Sequence, residues 1–250
     1  MKRIIPVIAL AIVLACSSAW AADATAALDV YSAYVWRGIT FNDSPVAQPS
    51  IDVSKNGFGV NVWGNFDLDE YYGDYPDDME FSEVDLTPYY GFNIQKLKVT
   101  VGWIEYLFPA GGLGTREIYA SLGYPLIGGL SAGFDFYWDI DEVDSYYTDL
   151  KLTYAMDLME KLSMEAGAKV GFAGEDFAEY YSAAATDGGF YDYSLSVGLT
   201  YAMNDALSFG AKIVYVGSLD SDVLPDADIA NGVYGLDSEV YAGINVAYKF

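Results

Sequence analysis

The sequence contains no histidine, one cysteine, and only 12 lysines and arginines against 36 aspartates and glutamates. Each shortage excludes a class of function. Without histidine there is no imidazole to act as general base or metal ligand, and no Ser–His or Cys–His pair. One cysteine cannot build a disulfide framework or a Cys-rich zinc site. A net charge of −24 leaves too few cations to neutralise a phosphate backbone, so nucleic acid is excluded as a partner. Beyond residue 21 no apolar run approaches the roughly 18 residues of a membrane-spanning helix. Apolar residues themselves are not scarce: 53% of the chain is hydrophobic and 16% aromatic, far above the content of a disordered acidic tail.

Lys2 and Arg3 precede an apolar run from Ile4 to Ala15, followed by Ser17-Ser18-Ala19-Trp20-Ala21. A charged start, a short apolar run and a small-x-small site form a secretory signal, with cleavage expected after Ala21. Lipoprotein processing at Cys16 is the rival, and Leu14 fits that motif poorly. Cleavage after Ala21 leaves ten basic residues facing 36 acidic ones, a net of −26, and no cysteine. The expected organisation is a signal peptide over residues 1–21 and one exported domain over 22–250.

That domain alternates. Leu162, Met164, Ala166, Ala168, Val170 and Phe172 interleave with Ser163, Glu165, Gly167, Lys169 and Gly171. Period two places successive side chains on opposite faces of a strand. Twelve such segments lie near 28–41, 46–55, 57–68, 81–94, 97–107, 116–125, 130–140, 146–156, 162–174, 190–202, 207–218 and 238–250. Each offers the 9–11 or so residues of a tilted membrane strand. Short connections such as Lys55-Asn56-Gly57, a tight-hairpin signal, alternate with long ones such as residues 174–189 and 219–237. The strand-turn-strand unit at Leu152-Thr153-Tyr154-Ala155-Met156 recurs at Leu199-Thr200-Tyr201-Ala202-Met203, as hairpin duplication would leave it. The fold class is therefore all-β: an up-and-down antiparallel transmembrane β-barrel of about 12 strands.

A soluble sandwich also alternates, so other signals separate the two. The apolar face is free of charge through most strands, as lipid requires. Tyr and Trp gather near strand ends (Tyr71-Tyr72, Tyr89-Tyr90, Trp103, Tyr106, Tyr137-Trp138, Tyr146-Tyr147, Tyr180-Tyr181, Tyr191 and Tyr193), where girdles sit at the headgroup level. The chain ends in an apolar strand with Tyr248 and a terminal Phe250, which resembles the signal read by the barrel-assembly machinery of Gram-negative outer membranes.

Ser32-Ala33-Tyr34-Val35-Trp36-Arg37-Gly38-Ile39-Thr40, then Gln48-Pro49-Ser50-Ile51-Asp52-Val53 and Gly57-Phe58-Gly59-Val60-Asn61-Val62-Trp63-Gly64, resemble the Gcw-type family (Gcw_chp) over residues 30–68. Ala33 stands where the family pattern has Asp. The resemblance implies a bacterial outer-membrane barrel and implies no established activity.

With Tyr34 and Trp36 facing lipid, Arg37 points into the lumen toward carboxylates such as Asp52, Asp67 or Asp85. The same facing puts Asp135, Glu165, Lys169 and Lys212 inside, where carboxylates outnumber basic groups two to one. Inward glycines, among them Gly102, Gly171, Gly198, Gly210 and Gly243, leave room in the lumen. The acidic, aromatic loop from Asp69 to Glu80 and the cluster Asp220, Asp222, Asp226 and Asp228 read as solvated surface, since neither matches a calcium-loop spacing. No catalytic residue, metal site or cofactor is assigned, and the histidine-based mechanisms of barrel phospholipases, omptin-type proteases and lipid A-modifying enzymes are excluded. The leading reading is a narrow porin-like channel with weak cation preference. A structural or surface-interaction barrel with a filled lumen is the second reading, and a secreted glycan-binding β-sandwich the third. The partners expected are outer-membrane lipids, lipopolysaccharide, the barrel-assembly machinery and small ions or solutes. If the terminal strand is an assembly signal, Phe250→Asp reduces the folded barrel recovered from membranes, while Lys249→Gln on the opposite face changes it little. Equal yields from the two variants would refute the assignment.

Overall fold

The computed structural model describes residues 22–69, 79–231 and 233–250. Residues 1–21, expected to be a signal peptide and including Cys16, lie outside the described residues, as do most of the Asp69–Glu80 loop and Tyr71-Tyr72. The strands are β1 (Asp23–Tyr31), β2 (Tyr34–Trp36), β3 (Ile39–Asn42), β4 (Val46–Lys55), β5 (Phe58–Asp67), β6 (Glu80–Ile94), β7 (Leu97–Leu107), β8 (Thr115–Pro125) and β9 (Leu130–Asp139). They continue with β10 (Tyr146–Met159), β11 (Leu162–Ala173), β12 (Gly189–Ala202), β13 (Leu207–Ser218) and β14 (Val240–Lys249), with one helix, α1 (Glu175–Tyr181), between β11 and β12.

Twelve of the strands form one closed barrel in which β1 pairs with both β4 and β14. Every neighbouring pair is antiparallel. The closure is in register along seven residues, from Thr25 opposite Lys249 to Tyr31 opposite Gly243. Closing the ladder removes the edge whose unpaired N–H and C=O groups lipid could not satisfy. Tight connections crowd one end, the turn end, where both termini of the barrel also lie. At Asn56-Gly57 both φ angles are positive, as a two-residue hairpin turn requires. The other end, the loop end, carries the long connections and α1.

The wall obeys the alternation. Leu150, Leu195, Ile213 and Ile244 are more than half exposed on its outer face. An outer aromatic row runs across four strands toward the loop end: Trp138 and Tyr146 are 6.1 Å apart, Tyr146 and Phe172 6.3 Å, and Phe172 and Phe190 5.7 Å. Toward the turn end, Phe58, Tyr90 and Phe92 form a second group. Both have the composition of interfacial girdles. Not every tyrosine near a strand end belongs to one. Tyr106, Tyr147 and Tyr191 are buried inside the barrel, and Tyr89 and Tyr137 face inward. Neighbours in sequence such as Tyr89-Tyr90 and Tyr146-Tyr147 must point to opposite faces, so only one of each pair can meet lipid. At Tyr191-Asp192 a β-bulge against Val170 and Phe172 turns both side chains inward, which strict alternation forbids.

The largest departure from the sequence reading is at its first strand. The expected segment 28–41 is not one strand. β1 leaves the wall at Tyr31, and residues 34–42 fold back as the small hairpin β2–β3. Tyr34 is 7% exposed and Trp36 packs on Phe41, Phe177 and Tyr181, so neither faces lipid. Arg37 (φ 49°) and Gly38 (φ 84°) form the hairpin tip. A Cβ on Gly38 would stand 2.6 Å from Leu224 and 2.8 Å from Asp192, so only glycine fits there. Around this hairpin, Ile39, Phe177, Ala178, Val223, Leu224 and Leu236 build an apolar core within the loop-end half. A closed ladder of this kind resists SDS until heated, so unheated and boiled samples of the refolded chain should migrate differently. Identical mobility, with the chain in the soluble fraction, would argue against membrane residence.

Candidate functional site

The lumen is built in layers beneath the inserted hairpin. At the hairpin tip, Arg37 reaches β8 and forms a bidentate pair with Glu117, Nη1 to Oε1 at 2.6 Å and Nη2 to Oε2 at 2.7 Å. Both side chains are almost fully buried, 7% and 1% exposed. Aromatic rings surround the guanidinium: Trp36 and Tyr137 each 4.2 Å from its carbon, Tyr147 at 4.7 Å and Phe177 at 5.5 Å. Cation–π attraction and the planar fork both favour arginine here. Tyr106 donates a further bond to Glu117, 2.8 Å. Burial pushes the phenol of Tyr181, on α1, well above its usual pKa, and Glu117 adds to the shift. That hydroxyl stays neutral.

The partners expected for Arg37 lie elsewhere. Asp52 accepts from Tyr89 at 3.0 Å. Asp67, fully buried, accepts from Asn42 of the hairpin at 2.6 Å and from Asn65 at 3.1 Å. Asp85 lies within electrostatic reach of Arg37 and of Glu83 without pairing with the arginine, and Glu83 accepts the hydroxyl of Tyr34 at 2.7 Å. The cause is the position of Arg37 in the fold. Inside a strand, Arg37 could reach only adjacent strands; at the tip of an inserted hairpin it crosses the lumen to β8.

Two further pairs tie inward bases to carboxylates. Lys169 sits 2.8 Å from Asp192, and Tyr147 bridges them, accepting from Lys169 at 2.9 Å and donating to Asp192 at 2.7 Å. Lys151 pairs with Asp135, which also accepts from Ser121. Glu165 and Lys212 instead line an open cavity of about 510 Å³ in the turn-end half, with Asp29, Ser163, Ser196, Thr200 and Asn245. Across the lumen a smaller cavity of about 230 Å³ is lined by Lys98, Ser121, Lys151 and Thr153.

The room left by inward glycines is partly taken. A Cβ on Gly102 would stand 2.5 Å from the ring of Tyr119, one on Gly243 2.2 Å from Tyr31, and one on Gly171 2.0 Å from Asp192. Rings and carboxylates of neighbouring strands lie over these glycines. Gly198 and Gly210, by contrast, border the larger cavity. Sequence reasoning missed α1 and the pairing role of Glu117. The spacing of Phe177 and Tyr181, one helical turn apart, was the available signal for the helix. Tyr248 and Phe250 both face outward at the turn end, their rings 5.0 Å apart, and the Phe250 N–H bonds the carbonyl of Ala24 at 2.9 Å.

The family model described as a bacterial protein of unknown function (Gcw_chp) matches residues 16–224, far beyond the N-terminal motifs. No curated protein matches this chain in sequence. Among solved structures, the KdgM porin in complex with disordered oligogalacturonate is similar at 10% identity, with 91% of this chain and 99% of that chain covered and a TM-score of 0.55. The NanC porin is similar at 14% identity, covering 92% and 100%, TM-score 0.53. An outer membrane channel from Pseudomonas putida F1 is similar at 11% identity, covering 92% and 96%, TM-score 0.57. At these identities the likeness shows the fold of outer-membrane porins and channels. Because a buried ion pair is costly to break on one side, Glu117→Gln should destabilise the folded barrel by about 3–5 kcal/mol. Urea titration of the refolded chain in micelles reads this. The double variant Arg37→Met, Glu117→Leu should recover most of the loss.

Proposed function

Because this chain belongs to the Gcw_chp family of bacterial proteins and folds as a porin-like barrel, we propose that it is a narrow outer-membrane channel that prefers cations and is constricted at its loop end by the β2–β3 hairpin. The single observation that carries the reading is the composition of the inner wall. Glu117, Asp135 and Asp192 are matched by Arg37, Lys151 and Lys169, while Glu83, Asp85 and Asp149 make no ion pair among the described residues and leave the passage around and below the hairpin with an excess of carboxylate. An excess of carboxylate in a passage of low dielectric concentrates cations and repels anions. The polyanionic oligogalacturonate named with the KdgM porin is a poor match for such a wall. The partners that follow are outer-membrane lipids and lipopolysaccharide around the barrel, the assembly machinery that inserts it, and small cations or polar solutes within. Export through the N-terminal signal and residence in the outer membrane belong to the same proposal. No step of it uses a catalytic residue.

One observation favours a second reading, a filled structural barrel: the Arg37–Glu117 pair and the rings of Trp36, Tyr147 and Phe177 pack the loop-end half with buried side chains. Planar-bilayer recording of the refolded mature chain separates the two. The channel reading expects small conductance, with a reversal potential in a salt gradient that marks cation selectivity and a selectivity that weakens at high salt. Anion selectivity would overturn the cation preference, and no current at any voltage would favour the filled barrel.

A further inference from the structure

Three inward bases are neutralised inside the wall, whereas among the described residues Lys98 in the smaller cavity and Lys212 in the larger one are not. Arg37, Lys151 and Lys169 each sit on a carboxylate. Among the described residues, Glu165 and Lys212 make neither an ion pair within 4.0 Å nor a side-chain hydrogen bond, although both line the same cavity of about 510 Å³. The register explains how they are kept apart. Glu165 on β11 stands opposite Gly198 on β12, and Gly198 stands opposite Lys212 on β13. At a strand spacing of about 4.8 Å the two backbones are roughly 10 Å apart, with a glycine between. The three atoms nearest the place a Cβ on Gly198 would occupy are the Ala211 carbonyl oxygen and two carbons of the Lys212 stem, and none is closer than 3.6 Å. A carboxylate and an ammonium therefore flank an uncovered floor.

The flanking row completes the surface. Ser163, Thr200, Gly210, Asn245 and Asp29 stand opposite one another in succession from β11 round to β1. Hydroxyls thus border the floor beside Glu165. Beside Lys212, Asp29 lies within electrostatic reach without forming an ion pair within 4.0 Å, and its Oδ1 accepts from the Asn245 amide at 3.0 Å. Asp157 lies in the same lining. Opposite charges left unpaired side by side, over a gap neither fills, match a ligand that carries both complementary charges.

We infer that this cavity binds a small zwitterion, a free amino acid or dipeptide, with the ligand ammonium on Glu165 and its carboxylate on Lys212. Charge-assisted hydrogen bonds at both ends fix its direction. Ser163, Ser196 and Thr200 supply neutral donors and acceptors along its length. The inference names a solute class for the proposed channel and rests on that reading for its physiological role, while binding itself needs only access from the turn end.

The test titrates L-alanyl-L-alanine into the refolded, detergent-solubilised mature barrel by isothermal calorimetry. Saturable binding is expected. N-acetylation or C-amidation of the dipeptide should each weaken it about tenfold, and so should Glu165→Gln or Lys212→Met. The double exchange Glu165→Lys, Lys212→Glu should restore binding, because a zwitterion can enter reversed. Heat-modifiable mobility of each variant certifies that it is folded. No saturable binding, or blocked dipeptides binding as tightly as the free one, would overturn the inference. So would tighter binding of the amidated, cationic dipeptide, and so would a folded double exchange that does not bind. Bilayer recording of the same preparation is read separately. Binding without current would overturn the channel and leave the zwitterion site standing; current without binding would do the reverse.

Discussion

The interior of this barrel depends on one buried ion pair. Arg37 and Glu117 come from elements 80 residues apart in sequence and meet where water scarcely reaches. Desolvating both charges is expensive, and a pair in that position contributes more to defining one arrangement than to net stability. Its defining role follows from its neighbours. The rings that surround the guanidinium belong to the hairpin, to α1 and to two wall strands, so satisfying the arginine also brings those elements together. Tyr147 extends the arrangement to Lys169 and Asp192. A non-glycine residue with positive φ at the hairpin tip carries backbone strain, which the cage must offset.

The wall and its filling follow different rules. Lipid outside and a ladder without an edge leave the wall little choice: apolar residues outward, every backbone group paired, girdles near the ends. Inside, glycine and tyrosine act together. Rings from neighbouring strands lie over Gly59, Gly102 and Gly243, where any side chain would collide. These glycines serve packing, and the open volume lies instead beside Gly198 and Gly210.

The two halves of the lumen therefore differ in kind. The loop-end half resembles the core of a soluble protein, with apolar residues, buried tyrosines and paired charges. The turn-end half is polar and open, and among the described residues Glu165 and Lys212 there make no ion pair or side-chain hydrogen bond. In the proposed channel the upper half would set conductance and the lower half would set preference among solutes.

Local residue order determined the wall. Period-two alternation, Asn56-Gly57, the alternating short and long connections and the outward terminal strand each depend on side chains within a few residues, and each can be read without knowing what lies across the lumen. The inward facing of Asp52, Asp67, Asp135, Glu165, Lys169 and Lys212 follows from the same parity. Residues 34–42 carry only a weak local sign of leaving the wall, the continuous apolar run Tyr34-Val35-Trp36 broken by Arg37-Gly38, and nothing local says where they go. That outcome depended on a carboxylate 80 residues away, on rings contributed by α1 and β10, and on a Leu224 side chain that seals Gly38. Which member of each adjacent aromatic pair meets lipid, and which carboxylate meets Arg37, were likewise decided only in three dimensions. Contacts across a lumen have no period along the chain.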